Sequence, residues 1–105
     1  MTRYLAHAVI HAGTVYRQSI VGLDDGVLSI SRFDREVHST VFVSGIVIVV
    51  AENKITLSDR QQLENIFRKE ILLEGGIKRV MRYLERRDIF ASEETDVPSL
   101  LVIER

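Results

Sequence analysis

The chain has 105 residues, 46% of them apolar and 28% charged, with a formal net charge of −1. These values fit one folded domain, residues 1–105, and exclude a disordered chain; the near-neutral balance supplies no general field for nucleic acid or an acidic membrane. No cysteine is present, so disulfides, thiolate metal sites and cysteine nucleophiles are excluded together, and the cytoplasm is the expected compartment.

The opening MTRYLAHAVIHAG has one Arg and a short apolar stretch broken by His7 and His11. It lacks the clean apolar run and small-residue cleavage site of a signal peptide. Arg3 to Ile10 reads as a strand, with a turn at Ala12-Gly13. Thr14 to Val21 is β-branched and aromatic and reads as a second strand. Asp24-Asp25-Gly26 then carries the Asp-Gly signal of a tight hairpin. Val27 to Arg32 alternates with period two, as a third strand does, and 33–39 (FDREVHS) reads as a loop. Thr40 to Val43 and Ile46 to Val50 are two short strands, or one strand bent at Ser44-Gly45, since Gly inside a strand pattern often marks a bulge.

The period changes after Ala51-Glu52-Asn53-Lys54. Ser58-Asp59-Arg60-Gln61 has the form of a capping box, and Leu63, Ile66, Phe67 and Ile71 follow at helical spacing. A helix over about 59–73 is predicted, ending at Gly75-Gly76. Ile77, Val80, Met81 and Leu84 mark a second amphipathic helix over about 77–87. SEETD at 92–96 is an acidic loop, and LLVI at 100–103 adds a late strand. About five strands followed by two helices predict an α+β fold, with the β half an antiparallel or mixed sandwich or a curled sheet.

GIVIVV, residues 45–50, has no polar side chain. A spanning helix needs roughly 20 apolar residues and this run stops at Glu52, so no membrane partner is expected. A continuously apolar strand has both faces covered. Two short amphipathic helices cover one face. The other calls for a β half curled into a barrel or sandwich, or for a second subunit; at about 1.5–3 kcal/mol per buried aliphatic side chain, leaving the strand wet is too costly.

The chemistry-bearing residues give little. His7 and His11, four apart on a strand, stand roughly 13 Å apart, too far to share a metal, and His38 has no ligand near it in sequence. Asp24, Asp25, Asp34 and Glu36 lack the calcium-loop pattern. No GxSxG supports a serine hydrolase, and Gly75-Gly76 does not form a phosphate loop. Lys78, Arg79, Arg82 and Arg86, with Arg87 and Tyr83, make a basic helix side that acidic residues nearby offset. They are the candidate anion-binding residues. No catalytic residue, cofactor or metal site is assigned.

AVIHAGTVYRQSIVGLDDGVLSI and STVFVSGIVIV, within residues 8–50, together resemble the N-terminal β segment of the amidohydrolase superfamily, in its order of strand, turn, strand, acidic-Gly hairpin and strand. The resemblance implies a β-sandwich-like fold. The family's His-x-His metal pair is missing, since IVIVVAENK follows Gly45, and the chain cannot hold a barrel of about 250 residues. No catalytic residue is carried over. The expected function is therefore that of a non-enzymatic structural or protein-interaction module that self-associates, as a dimer in the first instance, through Val47, Val49, Phe67 and Met81. The alternative is a ligand- or nucleic-acid-binding module on the basic helix face, and a third is an enzyme built on the histidines. Nucleic acid is the less expected partner.

Overall fold

A computed structural model describes residues 2–33, 40–91 and 96–105. The loop expected at 33–39, with Asp34, Glu36 and His38, lies outside them beyond Phe33, as does the acidic loop up to residue 95. In chain order the elements are β1 (Arg3–His11), β2 (Thr14–Asp24), β3 (Val27–Arg32), β4 (Thr40–Ala51), α1 (Leu57–Lys69), α2 (Leu73–Arg87) and β5 (Pro98–Glu104). The strands form one mixed sheet in the order β3-β2-β1-β4-β5, with β1 and β4 parallel and every other pair antiparallel. The fold is α+β, and the sheet is open rather than closed into a barrel.

Both hairpins close through two-residue turns, Ala12-Gly13 and Asp25-Gly26, whose residues all have positive φ. That is the type I′ geometry, whose twist matches that of the strands it joins. β4 is a single strand. It carries one extra residue opposite β1, because Ala6 pairs with Val43 while Ala8 pairs with Ile46. The bulge falls at Ser44-Gly45, as the sequence suggested. A side chain at Gly45 would place its Cβ 2.0 Å from the Ile103 carbonyl oxygen on β5, so only glycine fits there.

Ile46 to Val50 are extended and without solvent exposure. Ile46, Ile48 and Val50 face the helices, in a cluster with Ile10, Leu63, Phe67, Val80, Leu84, Leu101 and Ile103. Val47 and Val49 face the other way, in a cluster with Ala6, Val9, Val21 and Val43 that reaches Leu28 and Ile30 on β3 and Leu100 and Val102 on β5. Both faces of the strand are thus covered by its own chain. Val47, Val49 and Phe67, expected at a subunit interface, are consumed by internal packing and offer no surface to a second copy. Met81 is half-buried against the helix-side cluster.

The helices depart from the sequence reading in three places. The cap of α1 is Thr56, not Ser58: its hydroxyl accepts from the Asp59 amide at 3.1 Å and Asp59 accepts from the Thr56 amide at 3.0 Å. α1 stops at Lys69, so Ile71 leaves the apolar stripe and stands 89% exposed. Gly75-Gly76 does not end a helix; both lie in the first turn of α2. A Cβ at Gly76 would sit 2.8 Å from the Phe67 ring, so this glycine lets the helices approach closely. β5 is longer than the four residues expected and pairs along β4 from Gly45 to Ala51.

Candidate functional site

The basic side of α2 survives folding as a surface. Lys78, Arg79, Arg82 and Arg86 are all exposed. Arg79, Arg82 and Arg86 follow at i, i+3 and i+7, which places them along one side of the helix. With Ile66 and Tyr83 they line a shallow groove of about 190 Å³, and Lys78 stands outside it. Arg86 lies over the Tyr83 ring, 5.4 Å from its centroid, and Arg79 is held by Glu70 at 3.0 Å. With Arg79 paired to Glu70 and Arg86 laid over Tyr83, Arg82 is the guanidinium of this groove that no carboxylate among the described residues engages.

Tyr83 does not stack outward as its place on the basic face suggested. It is buried and donates its hydroxyl to Asp59 Oδ1 at 2.7 Å. Arg87 Nε donates to the same oxygen at 3.0 Å, while Oδ2 accepts from the Thr56 amide and hydroxyl, each at 3.0 Å. Burial alone would raise the Asp59 carboxyl, but the donors Arg87, Tyr83 and Thr56 outweigh it and hold the group well below the usual carboxylate range. Burial and the Asp59 charge push Tyr83 up, and the bond to Asp59 raises Arg87. Both carboxylate oxygens are occupied by internal donors. Asp59 is a structural clamp between the start of α1 and the end of α2, with no lone pair aimed at solvent chemistry.

A second concave region follows a row of irregularities across the sheet. On β2, Val15 packs on the helix-side cluster whereas Val21 packs on the far one. On β1, Ala8 lies on the helix side and Ala6 on the far side. Residues two apart share a face in an unbroken strand, so β1 switches faces at His7 and β2 between Val15 and Val21. Gln18 supplies the break with φ +44°, and Ser19 Oγ donates to the Arg17 carbonyl across it at 2.9 Å. His7 stands between this kink and the Ser44-Gly45 bulge, edge-on to Phe42 at 5.7 Å. Two adjoining hollows of about 470 and 290 Å³ open here, lined by His7, Gln18, Phe33, Phe42, Leu73 and the Arg17–Glu74 pair among others. Glu74 takes both terminal nitrogens of Arg17, the longer bond being 2.8 Å.

His7 and His11 lie on one strand and do not converge, and among the described residues no three His, Asp or Glu side chains gather as metal ligands. Asp24, at the end of β2, and Asp25, in the β2–β3 turn, are exposed. The three consecutive polar residues Arg17-Gln18-Ser19 interrupt the apolar pattern of TVYRQSIV, the one sequence signal of the kink at Gln18, and it does not say that the strand changes face there. No helix among the described residues is long and apolar enough to cross a membrane. No protein-family model, curated protein or solved structure matches the chain.

Proposed function

We propose that the chain is a non-enzymatic interaction module of the cytoplasm that docks a partner protein and works as a homo-oligomer, a dimer first. The observation that carries this is the pair Ile71–Leu72 between the helices. Their exposures are 89% and 72%, and the backbone that presents them is fixed. Arg105 donates to the Ile71 carbonyl at 2.7 Å and to the Glu70 carbonyl at 2.6 Å, with its guanidinium 4.9 Å from the centre of the Phe67 ring. Two adjacent large aliphatic residues on a braced turn give a partner an apolar anchor with little ordering left to do on binding.

A second reading rests on the arginine groove of α2, which suits a carboxylate or phosphate of a ligand or nucleic acid. One experiment separates the two. A photo-crosslinking side chain is placed at position 71, at 82 and, as a control, at 62 on the exposed side of α1, and the protein is irradiated in cells and in salt-washed extracts. A discrete protein adduct from position 71 that survives high salt supports the docking module. An adduct from position 82 alone, lost as salt rises, supports the anion site instead. The same faint ladder from all three positions overturns both.

A further inference from the structure

Among the described residues, no strand pairs with the outer side of β3. Which backbone groups that edge offers follows from the hairpin. Asp24 pairs with Val27 across the turn, and the Phe33 amide donates to the Gln18 carbonyl at 3.2 Å. The odd-numbered residues of β3 therefore bond to β2, and Leu28, Ile30 and Arg32 turn their N–H and C=O groups outward. Edge strands are ordinarily protected by lysine, proline or a bulge. VLSISR has none of these, and its register with β2 is unbroken.

The charges around this edge are polar along its length. Asp24 and Asp25 stand at one end and Arg32 at the other, all exposed. A copy added in parallel sets like charge beside like. A copy added antiparallel sets opposite charges together, and only that arrangement closes on a twofold axis. We propose that a second copy of this chain pairs antiparallel along β3, with the axis through Ser29, to make one sheet continuous through both subunits. In that register Leu28 lies opposite Ile30 of the second copy. Both belong to the side of the sheet opposite the helices, so each pair extends that apolar cluster while exchanging its backbone hydrogen bonds. Val27, 68% exposed in the single chain, faces Ser31, and Ser29 faces Ser29. Arg32 comes opposite Gly26 in the turn of the second copy, next to its exposed Asp25.

This inference rests on the self-association in the function proposed above, and the test tells the two apart. Sedimentation equilibrium of the purified protein from micromolar to millimolar concentration is run on the wild type, Ser29→Lys, Ser29→Glu and an equimolar mixture of the variants. Ser29 is exposed, so at micromolar concentration, where the wild type is a single chain, both variants keep its circular dichroism and melting temperature. The wild type passes from 12.0 kDa to twice that mass. Each variant alone places like charges face to face and weakens dimerisation at least about tenfold, and the mixture, with Lys opposite Glu, restores it. A wild type that stays monomeric at millimolar concentration removes self-association and this interface together. A wild-type dimer unaffected by either substitution removes the β3 interface and leaves self-association standing. Variants that dissociate without recovery on mixing overturn the register about Ser29.

Discussion

At Asp59 a single carboxylate joins two pieces of chain, the cap of α1 and the last turns of α2, which reach it through Tyr83 and Arg87. Its folded-state acidity is greater than in the unfolded chain, so folding favours the ionised form. The stability this supplies is complete above the unfolded-state value and drains away as pH falls toward the folded one. Asp59→Asn should therefore flatten the pH dependence of the denaturation midpoint between about pH 5 and 2, where the wild type loses stability steadily. Asp59→Ala removes the cap partner and leaves the buried Tyr83 hydroxyl without an acceptor, at a cost of about 2–4 kcal/mol near neutral pH. Urea titrations at several pH values measure both. Equal slopes for wild type and Asn variant would remove the ionised clamp. The same residue shows how far sequence reaches. Asp59 stood inside the expected capping box and Tyr83 on the expected basic face, yet nothing local says that residues 24 apart in sequence share a hydrogen bond.

Helix boundaries are where local and tertiary signals competed. Gly75-Gly76 reads as a stop because glycine is the usual residue beyond a helix end. Here Leu73 to Arg87 is continuous because Ile77, Val80 and Leu84 bury against the sheet, and the space at Gly76 belongs to the Phe67 ring. The two glycines should then respond in opposite directions. At Gly75 an added Cβ meets only the Glu70 side chain, at 3.3 Å, and that flexible carboxylate can move. Gly75→Ala should stabilise by about 0.5–1 kcal/mol through helix propensity. Gly76→Ala gains the same propensity but drives a Cβ into a fully buried ring, with a net loss of about 1–2 kcal/mol. Thermal melts of the two variants decide it; a shared sign would mean that close packing of the helices does not explain the pair. The strands were legible in outline, since the Asp25-Gly26 turn and the apolar runs are local, though β2 and β5 each run three residues longer than expected. Their order was not. The parallel placement of β4 beside β1 depends on contacts between residues tens of positions apart.

For the molecule as a whole, β4 is the common wall of two cores. Its even-numbered side chains from Ile46 to Val50 pack under the helices, and Val47 and Val49 pack on the far face. A layer of helices attached to an independently stable sheet would melt on its own, because β hairpins and helices differ in how much surface they bury. Here the sheet has no such independence. The strand that anchors α1 and α2 also fills the middle of the second cluster, and β5, which follows the helices in sequence, pairs with it from Gly45 to Ala51. Removing volume from the far face should therefore destabilise the helices as much as the strands. Val49→Ala, a substitution that touches no helix-side cluster residue, should lower the unfolding free energy by about 2 kcal/mol. The shift should be the same by far-ultraviolet circular dichroism, which follows the helices, and by tyrosine fluorescence, which follows Tyr4 in the far cluster and Tyr83 in the near one, with the exposed Tyr16 on β2 as the third emitter. Coincident transitions with an unchanged denaturant slope are the mark of one cooperative unit. If the helical signal kept its wild-type midpoint while fluorescence moved, β4 would not couple its two faces, and the helix layer would be a separable part.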